Sequence, residues 1–67
     1  MNLLLNGQTR EVPDTVQSVS ELIATLDLGG APVLVELNGE AVLSREFEEH
    51  PVRDGDVVEV IRMVAGG

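Results

Sequence analysis

SVSELIATLDLGGAP, residues 18–32, predicts one amphipathic helix in a chain whose other segments predict strands, and it thereby decides the fold class. Ser18 and Glu21 have the spacing of a capping box, in which the serine hydroxyl accepts from the first turn and the glutamate reaches back to the cap. Apolar residues then recur at i, i+3, i+4 and i+7, namely Val19, Leu22, Ile23 and Leu26. Gly29-Gly30 followed by Pro32 ends the helix. The helix should therefore pack one face onto a sheet.

Tight turns on both sides of this helix separate short β-rich segments. Asn6-Gly7 and Asn38-Gly39 tolerate positive φ at both central turn positions, so each predicts a hairpin. Val12 should point inward, Phe47 should contact the core from a short helical turn within residues 44–51, and Asp54-Gly55-Asp56 should turn the chain into its last strand. The predicted strands cover residues 1–5, 9–13, 33–37, 40–43 and 57–64.

The order strand, strand, helix, strand, short strand, strand suggests an α+β fold of the β-grasp type. In that arrangement the first and last strands are central and parallel, and the helix covers one face of a mixed sheet of about five strands. We expect residues 1–64 to form this domain and residues 65–67 to form a flexible C-terminal tail.

Length and composition argue against several classes of function. A chain of 67 residues predicts one domain, and without cysteine it has no disulfide, no thiolate nucleophile and no zinc-finger spacing. Its net charge of −8 disfavours nucleic acids and anionic membranes as partners, whereas a basic surface on a partner protein would be attracted. No segment approaches the roughly 20 apolar residues that span a bilayer. We expect a soluble cytoplasmic protein.

The last predicted strand has an outward face that includes apolar residues. Successive side chains of a strand point to opposite faces, and Glu59 in mid-strand must face water. Ile61 and Met63 share its parity, and Leu4 and Leu34 have the same outward parity on their own strands. We therefore predict an apolar docking patch with an acidic rim, although scattered surface aliphatic residues remain an equally good interpretation for any one of them.

Conventional catalytic and metal sites are weakly represented. Asp54 and Asp56 lack the remaining ligands of a calcium loop, so a turn is the better interpretation. His50 has no cysteine partner and reads as a turn residue. Gly29-Gly30 lacks the rest of a phosphate-binding loop and reads as a helix terminator. We predict neither catalytic residues nor a bound metal.

The last two residues, Gly66 and Gly67, form the most distinctive motif of the chain. Glycine has no Cβ, so a Gly-Gly segment can stay extended, thread a narrow channel and present an unhindered carboxylate. A frayed end is the alternative interpretation. Chemistry at the terminus is the functional prediction.

Five features that span essentially the whole chain form one composite pattern: Val12, TVQSVSELIATL (15–26), ELNGEAV (36–42), DGDVVEVIRMV (54–64) and AGG (65–67). Together they resemble the sulfur carrier proteins of thiamine thiazole synthesis, the ThiS family, which has a ubiquitin-like β-grasp fold.

The resemblance implies a carrier, not an enzyme. In that family an E1-like, ThiF-like adenylyltransferase uses ATP and magnesium to adenylate the terminal carboxylate, which corresponds to Gly67 here. A sulfur donor such as a cysteine desulfurase then yields a thiocarboxylate, whose sulfur goes to a ThiG-like thiazole synthase. Gly66 and Ala65 would form the rest of the tail, and no cofactor would be bound by the carrier itself.

Other functions remain open at this point. The small subunit of molybdopterin synthase uses the same thiocarboxylate chemistry, but it usually has a longer chain and prolines before the tail, where this chain has Arg62-Met63-Val64. A carrier for cysteine synthesis and a β-grasp interaction module whose glycines are never activated are further alternatives. An RNA-binding domain is disfavoured by the acidic balance.

Overall fold

The computed structural model describes residues 1–63, and residues 64–67 lie outside that part of the chain. Every element that the sequence predicts is found within it. The elements are β1 (Asn2–Leu5), β2 (Gln8–Glu11), α1 (Val19–Thr25), β3 (Val33–Leu37), β4 (Glu40–Val42), a 3-10 turn (Ser44–Glu46) and β5 (Val57–Arg62). Several strand boundaries differ from the prediction. β1 begins at Asn2, β2 runs from Gln8 to Glu11 and ends before Pro13, which has no N–H to donate, β4 ends one residue early at Val42, and β5 ends at Arg62. The prediction that Gly29-Gly30 ends the helix is wrong, because α1 ends at Thr25 with Leu26 as its C-cap, and Asp27 already has a positive φ of 53°.

The five strands form one mixed sheet in the order β2-β1-β5-β3-β4. The first and last strands, β1 and β5, are neighbours at its centre and run parallel, whereas the other neighbouring pairs are antiparallel. The α-helix between β2 and β3 completes the β-grasp topology that the order of elements predicts, and the ubiquitin-like form that the resemblance implies. Consequently the strand that leads to the C-terminal segment lies at the centre of the sheet.

Helix α1 is held at its N-terminus by its own cap and by the turn that follows β4. The Ser18 hydroxyl accepts from the Glu21 N–H at 3.1 Å, as the capping-box spacing predicts, and the Glu21 carboxylate accepts from the Gln17 N–H at 3.3 Å. The N–H groups of Val19 and Ser20 donate to carbonyls of the turn near Phe47 and His50, each at 2.9 Å. These bonds satisfy donors that a helix N-terminus leaves free.

The buried face of α1 packs against one face of the sheet. Val19 and Leu22 of the helix are inaccessible to solvent, as is Val58 of β5, and Leu3 and Val35 are nearly so. Phe47 is half-buried and packs against this core from the 3-10 turn side, as predicted. Within residues 1–63, no helix has the length and apolar content needed to cross a bilayer. The opposite face of the sheet is left without a covering element among these residues.

The two Asn-Gly turns also hold β5 in place. Asn6 and Asn38 have φ values of 49° and 51°, the positive region that the hairpins require. The Asn6 side chain donates to the Val60 carbonyl at 3.1 Å and accepts from the Val60 N–H at 2.8 Å, and Asn38 Oδ1 accepts from the Val57 N–H at 2.9 Å. Each turn therefore adds a side-chain bond to the backbone of the central strand.

Candidate functional site

Backbone hydrogen bonds hold the chain in the sheet as far as Met63, the last described residue. β5 pairs with β3 along its length, and the ladder continues one step further, where the Met63 N–H donates to the Pro32 carbonyl at 2.9 Å. The predicted reaction position Gly67, together with Gly66 and Ala65, lies outside the described residues. The segment that contains them thus begins where a central strand ends beside Pro32.

The prediction that Glu59 and Ile61 point toward solvent on the outer face of β5 is confirmed. Val57, Glu59 and Ile61 are exposed, whereas Val58 and Val60 between them are buried against the helix side. A carboxylate in mid-strand is stable only where water can solvate it, so Glu59 fixes which face of β5 is outward. The predicted docking residues Ile61 and Met63 therefore lie on the solvent side, with 52% and 46% of their surface exposed.

The register of the sheet brings together only some of the predicted docking residues. Leu34, which is 56% exposed, lies directly opposite Ile61, and Met63 follows on the same side. Leu4 lies instead opposite Val57, which is four residues before Ile61 and about 13 Å away at 3.3 Å per residue. The outer face thus has two apolar pairs, Leu34–Ile61 and Leu4–Val57.

Two carboxylates separate these apolar pairs. Glu36 of β3 lies directly opposite Glu59 of β5, and both residues are exposed. Sequence reasoning identified Glu59 as an outward residue but missed Glu36, whose alternation with Leu34 was the available signal. The acidic element predicted at the rim therefore crosses the centre of the face.

An apolar groove of about 640 Å³ adjoins the Leu34–Ile61 pair and was not predicted from the sequence. It forms where β4 ends at Val42, so that the first residues of β3 have no β4 residue paired beside them. The only feature of the sequence that indicated this groove was the predicted length of β4, which is too short to pair with all of β3. Its apolar lining includes Ile23, Val33, Leu34, Leu43, Phe47, Ile61 and Met63.

The polar residues considered as catalytic or metal-ligating candidates are engaged in turns. Asp54 Oδ1 accepts from the Asn2 N–H at 2.7 Å, and the Asp56 carboxylate accepts from the Arg53 N–H at 2.8 Å and from the Asn38 side chain at 3.1 Å. The turn predicted at these residues is thus confirmed. The His50 ring nitrogen Nδ1 lies 3.2 Å from the carbonyl oxygen of the adjacent Pro51.

The N-terminal ammonium group forms hydrogen bonds with the residues that follow β2, at the open end of the β1–β2 hairpin. It donates to Asp14 Oδ1 at 2.7 Å and to the Val12 carbonyl at 2.9 Å. The hydrogen bond to Asp14 raises the pKa of the Met1 ammonium above its ordinary value of 8.0. The same bond lowers the pKa of the Asp14 carboxyl below its ordinary value of 3.8.

We expect Asp14→Asn to lower the unfolding temperature by an amount that depends on pH. The stabilising effect of the raised ammonium pKa is complete below pH 8.0 and is lost as pH rises through the folded-state value. The effect of the lowered carboxyl pKa is present above pH 3.8 and is lost as pH falls through the folded-state value. The difference between wild type and variant should therefore be largest between these limits.

Circular dichroism melts at several pH values, on protein that begins at Met1, would measure this difference. It should be small and should shrink in high salt, because Asp14 is 89% exposed. A difference that stays constant from acid to alkaline pH would contradict the assigned ion pair.

This chain is similar to known proteins over nearly its whole length. A family model described as the ThiS family matches residues 3–67. The chain is 40% identical over 63 residues to the sulfur carrier protein ThiS of Thermus thermophilus, covering 94% of this chain and 95% of that one. A crystal structure of a thiamine biosynthesis protein (ThiS) from Geobacter metallireducens superimposes with a TM-score of 0.83 at 39% identity, covering both chains fully. The chain is also 31% identical over 67 residues to a thiazole synthase of Paramagnetospirillum magneticum, covering all of this chain and 20% of that one.

Proposed function

Because this chain belongs to the ThiS family, we propose that it is a sulfur carrier protein of thiamine biosynthesis. The observation that carries the proposal is the family match over residues 3–67, which includes the Gly-Gly motif as well as the β-grasp domain. The 40% identity to a protein named as a sulfur carrier supports the same function. The chain acts in this proposal as a co-substrate of other enzymes.

The reacting group is the carboxylate of Gly67. A free terminal carboxylate has a pKa near 3.5, so it is an anion at neutral pH and resists nucleophiles. An E1-like adenylyltransferase that uses ATP and magnesium converts it to an acyl adenylate and releases pyrophosphate. The terminal sulfur of a persulfide on a donor such as a cysteine desulfurase then attacks the acyl carbon and displaces AMP, and a thiol reductant cleaves the resulting acyl disulfide to leave a thiocarboxylate and a disulfide. The absence of cysteine from the sequence fits sulfur held at the backbone terminus.

The acceptor of the sulfur is a thiazole synthase. One fifth of the Paramagnetospirillum magneticum thiazole synthase is similar to the whole of this chain, which indicates that a domain of this kind occurs in one polypeptide with that enzyme. A carrier domain joined to its acceptor would have a high effective concentration at the acceptor site. This pairing favours thiazole formation over molybdopterin or cysteine synthesis as the destination of the sulfur.

The outer face of the sheet is the docking surface in this proposal. Leu34, Ile61 and Met63 lie beside the point where the C-terminal segment begins, so a partner that contacts them would also receive the tail. Exposed apolar residues grouped on one face are typical of interaction sites. Leu4 and Glu59 extend this surface across the sheet toward β1.

The proposal is tested by the intact mass of the protein with its native terminus. We expect incubation with ATP, magnesium, an E1-like adenylyltransferase and a sulfur source to exchange one oxygen atom for sulfur, and fragmentation to place the exchange at Gly67. The activating enzyme must first be shown to act on a known carrier. No mass change under those conditions would favour an interaction module.

A second measurement identifies the acceptor. The thiocarboxylate form is mixed with thiazole synthase and its small-molecule substrates, and return of the carrier to the carboxylate form is followed by mass. Return coupled to thiazole formation supports the proposal. A carrier that is loaded but discharges only to molybdopterin synthase, or only in cysteine synthesis, would move it to one of those pathways.

A further inference from the structure

The carboxylate pair Glu36–Glu59 is unfavourable for the isolated domain. The two residues are directly opposite across β3 and β5 and point to the same exposed face. Side chains in such positions have Cβ atoms about 5 Å apart, and like charges there destabilise a sheet. Among residues 1–63 the ion pair that the structure contains is Met1–Asp14, which leaves both carboxylates without a cation.

This carboxylate pair lies between the two apolar pairs of the outer face. One step of two residues along β5 leads from Glu59 to Ile61 and its neighbour Leu34, and one step the other way leads to Val57 and its neighbour Leu4. Each step is about 7 Å. The face thus presents apolar, acidic and apolar strips in sequence.

We propose that the carboxylate pair receives one arginine side chain of the E1-like partner, flanked by apolar partner residues that contact the Leu34–Ile61 and Leu4–Val57 pairs. The inference rests on the proposed carrier function and specifies the chemistry of its docking surface. A partner that covers this face must desolvate two carboxylates, which costs free energy unless a cation pairs with them. The forked guanidinium group can donate to both carboxylates at once.

Charge over the whole molecule favours the same partner chemistry. The net charge of −8 attracts a basic surface and raises its association rate. An apolar partner surface without a cation would leave the carboxylate pair buried and unpaired. The two strips of aliphatic side chains supply contact area, and the carboxylate pair supplies selectivity for a basic partner residue.

Glu36→Gln and Glu59→Gln test the inference because they should change stability and binding in opposite directions. Each substitution removes the repulsion, so the unfolding temperature of the isolated domain should rise by about 1 to 5 °C. Each also removes a charge that pairs with the partner, so the dissociation constant for the adenylyltransferase should rise about 10-fold or more. The double variant should bind more weakly than either single variant.

Glu48→Gln is the matched control. Glu48 is exposed in the turn after the 3-10 helix, so its substitution changes net charge equally without touching the outer face. Binding is measured by titration calorimetry with the purified adenylyltransferase. The Glu48 variant should keep the wild-type dissociation constant within about twofold, because Glu48 lies outside the proposed interface and contributes only to the net charge.

The outcomes separate the inference from the proposed function. Weaker binding by the Glu36 and Glu59 variants, with the Glu48 variant unchanged, supports the inference. If the wild type is adenylated normally and all three variants bind like it, the inference is overturned and the carrier function stands. If the wild type is neither bound nor adenylated by an enzyme active on a known carrier, the proposed function fails and the inference fails with it.

Discussion

Removing Gly66 and Gly67 should abolish thiocarboxylate formation and leave the fold intact. The truncated chain would present another terminal carboxylate, but on a side-chain-bearing residue and about 7 Å short of the original position at 3.3–3.6 Å per residue. The buried residues of the described chain run from Leu3 to Val60, so the core closes without the last two glycines. We expect the unfolding temperature of the truncated protein to differ from that of the wild type only slightly, as it does for a typical surface substitution. The mass change from the exchange of oxygen for sulfur should no longer be observed.

Deletion of Gly67 alone is the sharper version of this experiment. The variant still ends in a glycine carboxylate, so it lacks a side chain at the terminus just as the wild type does. A loss of sulfur loading would therefore show that the length of the tail matters as well as the absence of a side chain. Binding of the adenylyltransferase to the outer face should persist in both truncated proteins. Sulfur loading of the doubly truncated protein, or unchanged thiamine production in a strain that carries it, would contradict the assignment.

Local patterns in the sequence were sufficient for the elements of the fold. The Ser18–Glu21 spacing placed the start of α1, and two Asn-Gly pairs placed the hairpins, because each depends on residues within a few positions of one another. Alternation around Glu59 was sufficient for the outward face of β5. These signals are local, and the structure confirms them.

Features that depend on register between distant segments could not be predicted in this way. Nothing in the sequences of β3 and β5 taken separately indicates that Glu36 lies opposite Glu59. In the same way, nothing in β1 alone indicates that Leu4 lies opposite Val57 and far from Ile61. The bonds from the Asn6 side chain to Val60 join residues 54 positions apart. The proposal that Gly67 is the reacting residue came from family resemblance, since composition and periodicity indicate only that a Gly-Gly terminus is unhindered.

Leu22→Ala and Leu34→Ala should have opposite consequences although the chemical change is the same. Leu22 is inaccessible to solvent in the core, where such a substitution removes apolar contacts and leaves a cavity at a cost of about 2.7–5 kcal/mol. A chain of 67 residues has a total stability of roughly 3–10 kcal/mol, at 0.05–0.15 kcal/mol per residue. We therefore expect Leu22→Ala to lower the unfolding temperature by about 10 °C or more, or to unfold the domain.

Leu34 is 56% exposed on the outer face, so Leu34→Ala should change the free energy of unfolding by less than about 1 kcal/mol. It removes half of an apolar pair at the proposed docking surface, and its effect should appear as weaker binding of the adenylyltransferase with normal thermal unfolding. Urea titration of both variants, with calorimetric binding of the folded one, measures the two quantities separately. A Leu34 variant that binds normally would exclude the Leu34–Ile61 pair from the interface. If binding is weaker, the normal thermal unfolding of this variant removes misfolding as the explanation. A Leu22 variant as stable as the wild type would contradict the packing of α1 on the sheet.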